Sequence, residues 1–325
     1  MAEQISLQVG LDFGTSAVKA ALSNGMEISI PAVVGGTEGA WDWNQPDYIA
    51  VEHGGKMQFV GQAALNQSET KLFPMQDNKV SRQTTQQLLH AIMAAIAHRL
   101  GGTCALDIVA TVPFDANEQE KEDMRQMLDK ISSRKINCII NGMNLQPVVR
   151  VQDIDIRPEG LCSWLNFVLD DYGKVKRDSW AGKRILVGCI GLYHLNLVVV
   201  DQLQIIGRPV SRSLPLGLSI AHEAIARDLG GIPVYEVDRM IRKPGSRVST
   251  DEAFAKLASL INIEVENLES RAGGKFDGYY WTGGGSAAIF KWLNQPNKIL
   301  SESPVMDNAK GALKIATRKW HKVTV

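Results

Sequence analysis

Asp12-Phe13-Gly14-Thr15-Ser16 carries the residue types of an anion-binding turn. Gly14 lets the backbone pass where a side chain would block it. Thr15 and Ser16 add hydroxyls beside amides that can converge on one anion. Asp12 repels a bare phosphate, so its place in such a turn makes sense when a divalent cation, Mg²⁺ through water, lies between the two charges. The same five residues also suit an ordinary hairpin with a polar tip, and both readings stay open on this stretch alone. A second stretch, Thr282-Gly283-Gly284-Gly285-Ser286, follows an aromatic strand and precedes a helix. Three glycines at that place let backbone amides approach a phosphate or the sugar of a nucleotide. Glycine turns before helices are common, and that reading stands beside the functional one.

Two strands must hold the first turn. Val9, Leu11 and Phe13 alternate with small or polar residues, and Ala17 to Leu22 returns after the turn, with Asn24-Gly25 leading to a third strand at Met26–Ile30. Residues 185–190 and 195–201 repeat strand, glycine turn and strand, and Leu203–Ile206 again adds a third. The repetition predicts a duplicated core. Between and after these lie hairpin strands at 48–51 and 57–61, an amphipathic helix over 82–100 and a buried strand at 106–112. A charged helix at 115–131 follows, then strands at 136–140 and 147–151, and a helix opened by Arg157-Pro158-Glu159-Gly160. Residues 170–182 read as a boundary or surface loop, and residues 233–248 as basic and irregular. Helices are expected up to Leu229, over 252–271, after Ser286 through Leu293, and over 308–320.

The composition fits a globular protein: 325 residues, 45% apolar and 22% charged. Lys+Arg and Asp+Glu balance at 35 each, so no overall field recruits nucleic acid or a membrane. Cys104, Cys138, Cys162 and Cys189 form no CxxC pair and sit mostly in apolar runs, which predicts buried free thiols in a reducing cytosol. With no signal-like N-terminus and no apolar run of membrane-spanning length, a cytoplasmic location is expected.

The order Asp12-x-Gly14-Thr15-Ser16, strand-turn-strand at 185–201 and Thr282–Ser286 resembles the two phosphate motifs and the adenosine motif of the actin-like ATPases. Within that superfamily the chain is most similar to bacterial and archaeal actins of the ParM type. Pro31–Gly35, Phe59–Gly61, Val109–Pro113, Arg157–Gly160, Leu216-Gly217 and Asn308–Gly311 stand where those proteins carry similar strings. The resemblance implies an α/β actin-like fold. Two domains with duplicated mixed sheets and helices would flank a central nucleotide cleft. Domain I would span 1–155, with 308–325 packing back on it, and domain II would span 156–307. It also implies ATP or GTP with Mg²⁺ as ligands and a homopolymeric filament, with a cargo adaptor as a further partner. By position, Gly14, Thr15 and Ser16 would cradle the β/γ-phosphates and Asp12 would hold the metal's water shell. Lys19 would reach a phosphate or face solvent. Gly191, Gly217, Gly283, Gly284, Gly285 and Ser286 would complete the nucleotide site. Glu159 matches the acid that positions the attacking water; the alternative is a glutamate placed in a helix's first turn by the dipole.

One departure is conspicuous. Cys189-Ile190-Gly191-Leu192-Tyr193-His194-Leu195-Asn196 puts Cys189 where the superfamily has an aspartate, Leu192 where it has a glycine, and Asn196 at the later acid. A soft thiol does not replace a carboxylate beside Mg²⁺-bound water. The resemblance therefore implies a filament-forming nucleotide-binding protein with weakened hydrolysis. A non-hydrolysing scaffold or a small-molecule kinase are the rival readings. Other features remain: Asp153 and Asp155 as a metal pair or a solvated edge, Trp41 and Trp43 as a protein contact or internal packing, and the basic stretch Arg239, Arg242, Lys243 and Arg247 around Pro244-Gly245.

Overall fold

The computed structural model describes residues 6–74, 83–243 and 245–320. Pro244, and Arg82 at the start of the expected 82–100 helix, lie outside them, as do the ends of the expected domain I. The chain forms two compact units. The first contains the described residues up to Cys162, Leu169–Lys174 and those from Asn308 onward; the second contains Ser163–Val168 and Val175–Asp307.

In the first unit, strands Leu7–Phe13, Ala17–Leu22 and Glu27–Pro31 form an antiparallel meander. Thr103–Val112 pairs parallel to the first of them, and Val148–Pro158 pairs parallel to Thr103–Val112 at the edge. A second, six-stranded sheet contains the hairpin Ile49–His53 and Lys56–Val60, with Val34–Gly36, Lys71–Leu72, Cys138–Ile140 and Met143–Leu145. The helix Gln83–Arg99 packs on strands of both sheets. Its expected polar face is correspondingly narrow: Leu88, Leu89, Ile92, Met93 and Ile96 are buried, and so are Ala91, Ala94 and Ala97 on the remaining sides. A helix covered on two sides has no use for a wide polar stripe. The charged helix Glu118–Ile131 begins in a capping box, with Asn117 Oδ1 accepting from the Glu120 amide (2.9 Å) and the Asn117 amide donating to Glu120 Oε2 (2.8 Å).

The second unit repeats the meander. Arg184–Ile190, Leu195–Asp201 and Gln204–Ile206 are antiparallel, and Gly278–Thr282 then Lys298–Leu300 add in parallel on the other side. Strand order in the two sheets is therefore the same, and the duplicated mixed sheet expected from the sequence is present. Helices Ser219–Asp228 and Asp251–Arg271 bury Ile225, Leu257, Ile261 and Val265 in its core. Three local expectations need correction. Residues 234–242 form a helix rather than an irregular segment, because Arg239 and Arg242 pair with Glu236 and Asp238 one turn away. After Ser286 the α-helix ends at Ile289 and only a 3₁₀ turn continues to Trp292. The polar stretch 170–182 includes the one-turn helix Asp178–Ala181.

The last helix, Asp307–Trp320, returns from the second unit to cover the first strand. A Cβ at Gly10 would run into the Ala309 carbonyl, and one at Gly311 into the Cys162 carbonyl. Glycine at position 10 sets how closely helix and strand approach, and glycine at 311 how closely the helix approaches the backbone at Cys162. The expected outcome of Gly10→Ala is a loss of about 3 kcal/mol in a urea melt, in the overpacking range. Gly182→Ala, where a Cβ meets nothing within 4 Å, is the control that leaves the midpoint in place.

Candidate functional site

Three neighbouring parallel strands of the first unit end together. The register sets Asp12 beside Thr111 and Thr111 beside Arg157, so Asp12, Thr111 and the chain entering Glu159 share the carboxyl ends of the sheet. Ligands of open α/β sheets bind at such ends. Antiparallel pairing on the other side sets Asp12 opposite Lys19.

Asp12 is 3% exposed and both its oxygens are engaged: Thr111 Oγ1 donates to Oδ1 (2.8 Å) and Lys19 Nζ to Oδ2 (2.8 Å). Lys19 is 8% exposed, so neither a solvent-facing lysine nor a free cation fits this position; its charge is matched to Asp12. A Cβ at Gly14 would stand 2.8 Å from the Ala17 carbonyl and 3.0 Å from Lys19 Nζ, so the turn owes its glycine partly to the ammonium beneath it. The amides of Gly14, Thr15 and Ser16 have no hydrogen-bond partner among the described residues. The turn thus offers three donors above a neutralised pair.

Glu159 is buried, and its amide donates to the Val112 carbonyl (2.7 Å). The strand runs to Pro158 and the next helix starts at Leu161, so Glu159 lies on the connection, ahead of the helix's first turn. Gly160, with φ at 78°, follows it, and its amide donates to Asn308 Oδ1 (3.2 Å). Burial pushes the Cys162 thiol up, and the nearby charges of Asp12, Glu159 and Asp155 add to that while Arg157 opposes it. A thiol in this acidic surrounding is no nucleophile. Cys104 and Cys138 are likewise buried and free, each pushed up to about 11 by burial.

The second unit presents the same registers with different chemistry. Cys189 stands opposite Asn196 and beside Thr282, the places that Asp12, Lys19 and Thr111 occupy in the first. Its turn is tied to the following segment: the amides of Gly217, Leu218 and Ser219 donate to the carbonyls of Tyr193, Gly191 and Leu192 (3.1, 3.1 and 2.7 Å). Gly191 donates to His194 O (2.8 Å), so the amides of Gly191 and Gly217 both serve the protein. A Cβ at Gly217 would collide with the Leu192 carbonyl, which accounts for the glycine there.

The Thr282–Ser286 turn is held from several sides. Thr282 Oγ1 donates to Asp307 Oδ2 (2.6 Å), a buried carboxylate that also accepts from Tyr280 OH (3.0 Å) and Asn166 Nδ2 (2.8 Å). Gly283 donates to Pro304 O (2.9 Å), Gly285 to Ile190 O (2.9 Å), and Ser286 to Gly283 O (3.1 Å), while Ser286 Oγ bonds the Thr282 carbonyl. Cβ atoms at Gly283 and Gly285 would crowd Ile190 (2.5 and 2.7 Å), whereas Gly284 faces open space. Of the expected nucleotide residues here, Gly284 is the one whose backbone is open to a ligand.

Thr111 and Asp307 were not among the expected site residues. A hydroxyl closing the apolar strand 103–112, and an acid at the head of the last helix, were the available signals. The remaining candidates resolve locally. Asp155 pairs with Arg157 (2.8 Å) and Lys319 (3.0 Å), and no cluster of three or more metal-ligating side chains occurs among the described residues. Asp12 retains lone pairs for water on a cation, and Mg²⁺ needs no more than one or two carboxylates when phosphates are present, so this donor set fits a nucleotide-borne ion. Trp43 packs on Phe59 with the rings tilted and their centroids 4.6 Å apart, while Trp41 is 73% exposed.

Residues 10–161 match the family described as actin like proteins N terminal domain. No curated protein matches the sequence. Among solved structures, the apo psk41 ParM protein superposes with a TM-score of 0.75 at 16% identity, covering 98% of this chain and 99% of that one. Bacillus thuringiensis ParM with ATP gives 0.71 at 16%, covering 98% and 100%. An archaeal actin homologue gives 0.73 at 18%, covering 96% and 99%. The chain has the actin-like fold over its whole described length, and no helix in it is long and apolar enough to cross a membrane.

Breaking the Lys19–Asp12 pair leaves a buried, uncompensated carboxylate. Lys19→Met is expected to cost about 3 kcal/mol in denaturant titration, and adding Asp12→Asn should return most of it. A double variant no more stable than Lys19→Met would show that the pair does not carry this energy.

Proposed function

We propose that this chain binds ATP with Mg²⁺ and assembles with copies of itself into filaments, hydrolysing the nucleotide slowly. The observation that carries this reading is the set of unpartnered amides of Gly14, Thr15 and Ser16 above the Asp12–Lys19–Thr111 group, in an actin-like fold whose solved examples include one with ATP. In this reading the Gly14–Ser16 amides hold phosphate oxygens. Gly284 and its neighbours lie against the nucleoside, with GTP admissible in place of ATP. Glu159 orients the attacking water. Phosphoryl transfer asks for positioning and charge neutralisation more than covalent chemistry, and bound Mg²⁺ supplies part of the latter. Asp12 holds one of the cation's waters, and Lys19 keeps that carboxylate fixed.

Polymerisation would serve intracellular positioning, DNA segregation being the leading instance, with an adaptor joining cargo to filament and no direct contact to nucleic acid. The cytoplasm is the matching location. A scaffold that does not hydrolyse is the second reading, favoured by the neutral Cys189–Asn196 pair. A kinase of the same superfamily would instead phosphorylate an added sugar or acid.

Sedimentation and negative-stain microscopy with ATP, ADP or no nucleotide test the proposal. Filaments are expected with ATP, and Glu159→Gln is expected to slow phosphate release by at least about 100-fold while nucleotide still binds. Filaments formed equally in all three conditions would favour the scaffold. A monomer throughout would remove the filament reading.

A further inference from the structure

The helix Asp251–Arg271 is the longest among the described residues, and its two sides differ in chemistry. Phe254, Leu257, Ala258, Ile261, Val265 and Leu268 are buried in the core of the second unit. The outer side runs through Ala253, Lys256, Leu260, Ile263, Asn267 and Ser270, at alternating steps of three and four residues. A solvated helix face at these steps ordinarily carries charged or polar residues along its whole length. Here the two central places are Leu260 and Ile263, 44% and 52% exposed, in the middle of 21 helical residues. An apolar pair so placed, on a straight seam with coiled-coil spacing, is suited to a second helix.

Charge decides which second helix fits. Against a parallel copy each seam residue would meet itself, setting Lys256 against Lys256. Against an antiparallel copy centred between Leu260 and Ile263, every layer is complementary. Leu260 meets Ile263 of the second copy, Lys256 meets Asn267, and the small residues Ala253 and Ser270 meet at the ends, where they let the backbones close. The Lys256 ammonium, exposed and paired within its own helix to Glu252 (2.7 Å), thus faces an amide oxygen. Exposed Glu266 adds a carboxylate at the same level, beside Asn267. The face is its own complement, and self-complementarity points to another copy of this chain rather than to a different protein.

We propose that the outer face of the Asp251–Arg271 helix docks on the same face of a second copy, antiparallel, across a two-fold axis between Leu260 and Ile263. Such an isologous contact closes at two copies, so it differs from any contact that would propagate a filament, and it needs no bound nucleotide. One helix face is small beside the roughly 1,200–2,000 Å² of a stable interface. The pair is therefore weak in solution and is read by covalent capture.

The test mixes full-length Lys256→Cys with full-length Asn267→Cys, one of them carrying a tag that changes its size, and oxidises the mixture without nucleotide. Both positions are exposed, so both variants are expected to keep the wild-type urea midpoint. The four natural cysteines are buried, and wild type is the blank. In the antiparallel pair, 256 of one copy shares a layer with 267 of the other, whereas like positions lie about 16 Å apart along the axis, beyond disulfide reach. The mixed disulfide is expected to exceed either homodimer by at least about 10-fold, against about 2-fold for random collision. Adding Leu260→Glu to both chains should return the ratio to that of random collision. Homodimers in excess would mean a parallel pair, and a random ratio before Leu260→Glu is added would leave the face to another partner or to water. Either result overturns the proposal. Nucleotide binding is measured separately, and failure of one reading leaves the other standing.

Discussion

A buried charge must be matched where it sits, and in the first unit that demand organises everything near the turn. Asp12 enters the sheet's carboxyl end with almost no water around it, and only Lys19 across the hairpin and Thr111 on the parallel neighbour are in register to satisfy it. The hairpin register sets Lys19 opposite Asp12, and the absence of a side chain at Gly14 leaves room for that ammonium and for the Ala17 carbonyl. Breaking such a pair is far more costly than never having made it, because the surviving partner has no water to turn to. Shifting either strand by one residue would put Asp12 and Lys19 on opposite faces of the sheet.

The second unit shows what the same architecture does when the demand is lifted. Its central strand, hairpin partner and parallel neighbour keep the spacing, but Cys189 and Asn196 replace the pair. Order there comes from close packing instead. A Cβ at Gly188 would enter the Trp281 ring, Gly217 admits the carbonyls of Leu192 and Tyr193, and Thr282 is anchored on Asp307. Two copies of one topology thus reach rigidity by different means, one ionic and one steric.

Much of this was legible in the sequence. Alternation at Val9, Leu11 and Phe13, the turn glycines and the repeat at 185–201 were enough to predict the strands and the duplication. The placement of Lys19 was not, because a lysine seven residues after an acid becomes its partner only once a hairpin register is chosen. Thr111 and Asp307 lie 99 and 25 residues from the groups they bond, a separation that local pattern does not bridge. The helix at 234–242 was obscured for a different reason: its charges look like a loop's until they are paired one turn apart. Of the Trp41 and Trp43 alternatives, internal packing holds for Trp43 against Phe59, while Trp41 lies exposed.

The last helix also has a bearing on how the chain comes into being. Leu7–Phe13 leaves the ribosome long before Ala309 and Leu313, whose backbone covers Gly10. During synthesis the second unit emerges whole while the first still lacks its lid. The cover over that sheet's first strand is therefore added only after residue 313 has been made, and until then its apolar strands are a natural client for holding chaperones. A stop before residue 309 would leave the Leu7–Phe13 strand without that cover.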